Sequence, residues 1–217
     1  MSDAFELVAK GQVEDLRAAL EDYPALAVAR HSSGASLLAW AHYTGQLDAA
    51  ALIRPKLGEL DPHDAIIVGD VDRVRDALSA GWDANARSAD GFTPLALAAF
   101  FGRDDIFDLL LPMTTDVNAA AENAQRVAAI HAATARKNAG MVEKLLRAGA
   151  DPDQVQADGF TPLHAAAQHG DGAIAALLVL WGADIRKASD KGLDAVAHAR
   201  AGGHDWLADR LQAALRP

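Results

Sequence analysis

A nine-residue stretch occurs twice in this chain in nearly the same form. Asp158-Gly159-Phe160-Thr161-Pro162-Leu163-His164-Ala165-Ala166 is echoed by Asp90-Gly91-Phe92-Thr93-Pro94-Leu95-Ala96-Leu97-Ala98, 68 residues earlier, or two periods of 34. Between them Ile130-His131-Ala132-Ala133 stands 33 residues before Leu163-His164-Ala165-Ala166, and Gly34-Ala35-Ser36-Leu37-Leu38 falls in the same frame. Turn glycines follow the same beat: Gly11, Gly45, Gly69, Gly102, Gly170 and Gly203, with Lys137 where the fifth copy would place its own, at spacings of 34, 24, 33, 35, 33 and 33. A second turn recurs as Gly81-Trp82-Asp83, Gly149-Ala150-Asp151 and Gly182-Ala183-Asp184, with Thr114-Thr115-Asp116 as a degenerate copy. Self-similarity at such a period restricts the chain to an array of small units, each burying its apolar face against its neighbours.

Each repeat position has a physical role. Thr93 and Thr161 suit a helix N-cap, where the hydroxyl accepts from an orphan N–H. Pro94 and Pro162 then take the first helical position, where no donor is lost. Leu38, Leu95, Ile130, Leu163 and Val196 form an inward row. Three residues on stand Ala41, Ala65, Ala98, Ala133, Ala166 and Ala199, small enough for neighbouring helices to approach closely. The turn glycine then ends the first helix in a left-handed conformation. The second helix carries Leu16, Ala50, Val74, Phe107, Val142, Ala175 and Ala208 in one row. Ala19, Ile53, Ala77, Leu110, Leu145, Leu178 and Leu211 form another, at the helical spacing of a buried face. Helix pairs are expected near 2–22, 35–54, 61–80, 93–112, 126–148, 161–181 and 194–215, in a single domain over 1–217.

Both ends read as caps. Phe5, Leu7, Val8, Leu16 and Leu20 face inward at the start. Trp206, Leu207, Leu211 and Leu215 are expected to do so at the end, with Asp205, Asp209, Arg210, Gln212 and Arg216 outward. Polar outer faces are what a solenoid needs for solubility, which leads us to expect a complete protein. Two departures interrupt the period. The 24-residue spacing leaves no room for a normal connection, so Pro55-Lys56-Leu57-Gly58 must turn directly toward a helix near Pro62. A two-residue excess lies in Ala119-Ala120-Ala121-Glu122-Asn123-Ala124.

The copies resemble the ankyrin repeat, whose signature is Thr-Pro-Leu-His-x-Ala on a period near 33. Residues 161–166 match it fully and residues 93–98 match except at Ala96. The tetratricopeptide repeat has a similar period, but its Trp-x-x-Leu-Gly-x-x-Tyr pattern is missing while the Gly-Ala-Asp turns are present. The resemblance implies an all-α solenoid of about seven helix-turn-helix units with short hairpin or extended fingers. It also implies a non-catalytic protein-interaction module, an adaptor or scaffold that binds along the concave face. That face is built from finger tips and the ends of first helices, where the family tends to be polar. Here Tyr43, Ile67, Val68, Phe92, Phe100, Phe101 and Phe160 hold such positions, with Arg136, Gln168 and His169 at their rim. Two readings of this cluster stand side by side. It is an apolar groove for a partner, or its side chains bury one another where the finger after Gly45 is missing.

Composition narrows the function classes. A net charge of −10 argues against a protein built to grip nucleic acid. The same charge keeps open an alternative, an inhibitor or immunity protein that occludes a basic enzyme or toxin. With no cysteine there is no disulfide framework, thiolate metal site or thiol nucleophile. The most apolar uncharged run, 172–183, is too short for a membrane span. Met1-Ser2-Asp3-Ala4-Phe5-Glu6 lacks the basic and then apolar stretches of a secretory signal. A soluble, cytoplasmic monomer is expected. Alanine dominance and arginine over lysine fit a GC-rich bacterial genome, as composition only.

The eight histidines point to no metal. In the family the histidine at the position of His131 and His164 bonds neighbouring backbone and stitches repeats together, and His63 shares that register. His164 and His169 are five apart, off the i, i+4 face of a helical zinc pair. His42, His198 and His204 have no partner at ligand spacing. Asp83-x-Asn85-x-Arg87 resembles a calcium loop only in its first residues, since Pro94 stands where the twelfth-position glutamate belongs. No Gly-x-Ser-x-Gly elbow, phosphate-binding loop or dinucleotide fingerprint occurs, and carboxylates such as Asp70, Asp72, Asp104 and Asp105 suit solvated faces. No catalytic residue, cofactor or metal is expected.

Overall fold

The computed structural model describes residues 3–215. Met1 and Ser2, on which the reading of the N-terminus drew, and Arg216, placed on the outer face of the last helix, lie outside them. The described residues form fourteen α-helices in seven pairs, with one isolated bridge between Arg30 and Ser36 and no longer strand. They divide into two compact units, the first ending at Gly91 and the second beginning at Phe92.

The first unit holds α1 (Ala4–Ala9), α2 (Val13–Asp22), α3 (Leu37–Tyr43), α4 (Leu47–Ile53), α5 (Pro62–Val68) and α6 (Val71–Ser79). α1 packs on α3 and α3 on α5, while α2 packs on α4. After α4 the short period forces a 3₁₀ turn, Arg54–Lys56, from which the chain runs straight into α5. With no finger between α4 and α5, the finger around Gly34 meets the one around Ala89 directly. A Cβ built on Gly34 would lie 2.1 Å from the Ala89 carbonyl oxygen.

The second unit holds α7 (Pro94–Phe101), α8 (Asp104–Leu110), α9 (Ala129–Ala135), α10 (Ala139–Arg147), α11 (Pro162–Gln168), α12 (Gly172–Leu180), α13 (Ala195–Ala201) and α14 (Asp205–Ala214). The first helices α7, α9, α11 and α13 stack side by side, and α10 packs on α12 behind them. The two-residue excess is absorbed before α9 by a turn at Asn123–Arg126, where Arg126 takes a left-handed φ of 52°. Lys137 is likewise left-handed, at φ 56°, in the slot the other copies give to glycine. The backbone of the repeat is therefore kept even where its residue is lost.

The rows legible in the sequence are the core. Ala41, Ala65, Ala98, Ala133, Ala166 and Ala199 are all buried, as are both second-helix rows except half-buried Ala19. Thr93 Oγ1 accepts from the Ala96 amide and Thr161 Oγ1 from the His164 amide, each with proline in the first turn. One expectation fails. Trp206 is 52% exposed, because Leu207, Ala208 and Leu211 are the buried residues of α14 and residue 206 sits about 100° round the helix from 207.

The signature histidines share one geometry. Nε2 of His63, His131 and His164 each meets a carbonyl 23 residues ahead, of Ala86, Gln154 and Lys187, at 2.8, 2.9 and 2.8 Å. In His131 and His164, Nδ1 accepts from the N-cap amides of Ala128 and Thr161, so both rings are neutral with the proton on Nε2. Burial pushes His131 down to about 4, and His164 is lowered for the same first reason. His63 differs because its N-cap is a carboxylate: Nδ1 lies 3.1 Å from Asp61 Oδ1. Burial opposes its protonation, but Asp61 and the Ala86 carbonyl outweigh that and raise its pKa.

These shifts have opposite signs in stability. His131 is depressed when folded, so between pH 6.5 and 4 the unfolded chain binds the extra proton and the second unit weakens as pH falls. His131 alone should remove about 2 kcal/mol between pH 7 and 5. His63 is raised, so its contribution to the first unit is full at low pH and fades as pH rises through the folded value. Hydrogen exchange followed by mass spectrometry at pH 7 and pH 5 checks both. Protection around α9 that is unchanged by acid would show that His131 is not held neutral.

Candidate functional site

The residues that the sequence places at finger tips and helix ends behave differently in the two units. In the first unit they do not make an apolar surface. Ile67 is 2% exposed and belongs to the core, and Val68 and Tyr43 are half-buried. The Tyr43 hydroxyl donates to Asp90 Oδ2 at 3.0 Å, and burial followed by that carboxylate raises its pKa. The finger is missing here, and residues 87–90 lie over these helix ends, with Asp90 holding the Tyr43 hydroxyl.

Beneath that closure lies a polar pocket of about 280 Å³, lined by the Arg30–Ser36 finger, the start of α5 and residues 87–90. Its floor is Asp64, 9% exposed, whose Oδ1 accepts from Ser36 Oγ at 2.7 Å. Burial raises the Asp64 pKa, with the Ser36 hydroxyl opposing and Asp61 adding to the shift. Ser88 Oγ donates to Asp90 Oδ1 at 2.6 Å on the far wall. The sequence reading missed Ser36, Asp64 and Asp90. One signal was available: Asp64 stands one residue after the signature-position histidine, where the other copies carry Ala132 and Ala165.

In the second unit the surface is more open. Phe100, at 39%, is exposed at the end of α7 and meets Phe101 edge to face, with ring centroids 5.1 Å apart. Arg136 at the end of α9 and Gln168 and His169 at the end of α11 are exposed at matching positions of the next two repeats. The Arg136 guanidinium reaches back toward the turn at Gly102, 3.8 Å from where a Cβ would stand. Phe92 is half-buried. Phe160 is half-buried too, packed against the rings of His198 and His164 at 5.0 and 5.4 Å. The cluster thus resolves into an exposed strip over α7, α9 and α11, with Phe160 serving as packing beside it.

Trp40 is tied down in the first unit: its indole donates to the Phe5 carbonyl and stacks on His31 at 4.2 Å. Trp82 meets His63 edge-on at 5.2 Å. Among the described residues no three His, Asp or Glu side chains are grouped to hold a metal ion, and no helix is long and apolar enough to cross a membrane.

Paired helices, left-handed turns and the histidine bridges define a helical repeat whose variable positions lie on helix ends and fingers. The family model for ankyrin repeats matches residues 62–156 and 130–212, and the chain belongs to the ankyrin-repeat family. It is 31% identical to the nuclear factor NF-kappa-B p105 subunit of Gallus gallus over 165 residues, 75% of this chain and 17% of that protein. It is 31% identical to the palmitoyltransferase Hip14 of Drosophila melanogaster over 119 residues, 55% of this chain and 18% of that one. The ARF GTPase-activating protein Git, also of Drosophila melanogaster, is 33% identical over 87 residues, 40% of this chain and 12% of that protein. The chain therefore covers less than a fifth of each of these relatives. Ankyrin repeats are protein-interaction modules, and that is the class of function the fold defines.

Proposed function

We propose that this chain is a non-catalytic adaptor that holds a protein partner on the strip formed by Phe100, Phe101, Arg136, Gln168 and His169. The supporting observation is Phe100, exposed at the end of α7 where the family is usually polar and set edge to face on half-buried Phe101, with polar rim residues on the two following repeats. Aromatic and arginine side chains in such a setting are typical binding hot spots. The net charge of −10 favours a partner with a basic surface, since complementary charge speeds encounter.

The test is capture from lysate of the source organism, followed by titration of the captured protein. Phe100→Glu should weaken binding roughly 30-fold, about 2 kcal/mol, with an unchanged circular dichroism spectrum, because the side chain is exposed. Binding equal to wild type from a folded Phe100→Glu variant would remove the strip from the interface. An on-rate that falls steeply with salt favours a basic partner that the chain occludes, and a salt-insensitive one a general scaffold.

A further inference from the structure

The groove between α12 and α14 leaves Leu180 81% exposed, but its walls, mostly alanine and leucine, select no particular occupant. The pocket of about 280 Å³ over Asp64, in the first unit, is more selective. Asp64 holds a position that is alanine in the copies at Ala132 and Ala165. A carboxylate buried there costs stability unless enough donors surround it. Asp64, 9% exposed, has a single donor: Oδ1 accepts from Ser36 Oγ, while Oδ2 accepts from no group among the described residues, and Asp64 makes no ion pair with them. No side-chain oxygen is sealed away without a partner, so Oδ2 opens on the pocket that Asp64 lines. The arginines on the walls are turned to the fingers, where Nη1 of Arg30 and of Arg87 donates to the Gly34 and Gly91 carbonyls. The other carboxylates are engaged as well: Asp61 faces His63 Nδ1, and Asp90 takes the Ser88 and Tyr43 hydroxyls. Ala35, Ala39 and Ile67, all buried, make the apolar part of the wall.

We propose that the pocket binds a primary alkylammonium group, with the ammonium on Asp64 Oδ2 and the alkyl stem against Ala35, Ala39 and Ile67. The one open oxygen chooses among cations. A guanidinium grips a carboxylate through both oxygens, and here Ser36 holds the first. An ammonium is a compact point charge, for which a single acceptor oxygen suffices. A metal ion needs further carboxylates or imidazoles, and among the described residues no three are grouped to supply them. An uncharged hydroxyl can donate to Oδ2 but leaves the buried negative charge unbalanced. Burial holds the Asp64 pKa up, so a cation that settles there displaces the proton, and binding strengthens as pH rises toward neutrality. Two sources carry this chemistry, a lysine side chain of a partner protein and a free small amine. The pocket uses none of the residues of the strip at the ends of α7, α9 and α11.

Titration of the isotope-labelled full chain with n-butylammonium chloride at pH 7, followed by amide shifts in two-dimensional NMR, tests the proposal. Amides within 34–36, 61–64 and 87–90 should shift together and saturate, with a dissociation constant of about millimolar order, as so small a ligand allows. 1-Butanol, which has the shape without the charge, and n-propylguanidinium should each bind at least about tenfold more weakly. Asp64→Ala restores the residue of the other copies, so it should keep the helical circular dichroism signal and lose binding about tenfold or more. Asp64→Asn, which can still accept from Ser36, should lose it as well. Nα-acetyl-lysine N-methylamide separates the two sources: binding as tight as butylammonium assigns the pocket to a lysine side chain, and weaker binding assigns it to a free amine. The proposal is overturned if butylammonium gives no saturable shift, if 1-butanol binds equally well, or if a folded Asp64→Ala chain binds like wild type. The Ser36–Asp64 bond would then be a stitch between the start of α3 and α5. Loss of the fold in both Asp64 variants overturns it too, by making the carboxylate a structural group.

Discussion

Phe107→Ala should destabilise the second unit by about 4 kcal/mol, within the usual range for deletion of a buried ring. Phe107 lies on α8, is fully buried, and occupies a row that in other repeats holds Leu16, Ala50, Val74, Val142, Ala175 and Ala208. It is the one aromatic side chain in that row. Cavity cost depends on how far the surroundings can collapse, and this core is built largely from alanine, whose side chain has no rotamer with which to fill a hole. Ile106 and Leu110 on the same helix are already fully buried and fixed. Phe107→Leu should cost far less, roughly 1 kcal/mol, because most of the volume is kept. Urea unfolding read by hydrogen exchange within the second unit measures both. A loss below about 1.5 kcal/mol for the alanine variant would mean that the row tightens around the gap.

Gly34→Ala should cost the first unit about 3 kcal/mol, from two sources. Gly34 has φ +97°, which an L side chain adopts only with strain. The new Cβ would also stand 2.1 Å from the Ala89 oxygen and 2.5 Å from its carbonyl carbon, which are backbone atoms that cannot swing aside. Gly45→Ala separates the two. Gly45 is also left-handed, at +72°, but has nothing within 4 Å of the position a Cβ would take, so only about 1 kcal/mol is expected there. If the two variants lose the same stability, the fingers around Gly34 and Ala89 can part freely, and the polar pocket over Asp64 is not held closed by them.

Much of the fold was legible because the repeat is written in local terms. An N-cap hydroxyl three residues before the amide it accepts from, proline in the first turn and a left-handed residue at the helix end are all set within a single unit. The signature histidine belongs with them, since its partner lies a fixed 23 residues ahead in each of the three copies that carry it. The exposed strip was legible only in part. Phe100, Arg136, Gln168 and His169 are exposed where the sequence places them, but Ile67 and Phe160 are not free surface. Their exposure depends on the adjoining finger and helix, which are irregular around Ile67. Trp206 was misplaced for a related reason: among the described residues α14 is flanked on one side, and a large apolar residue on such a helix is not thereby an inward one.

By itself the sequence determined seven helix pairs, their buried alanine and leucine rows, and their caps and turns, because periodicity and capping act over a few residues. Only the tertiary structure decided what the missing finger does. It brings Gly34 against Ala89, folds Tyr43 onto Asp90 and leaves Asp64 under a polar roof. It likewise decided that α12 and Trp206 remain uncovered. The physical reason is the same in both cases. Whether a side chain is core or surface is settled by what the neighbouring repeat sets against it, and that distance is not written in the residue itself.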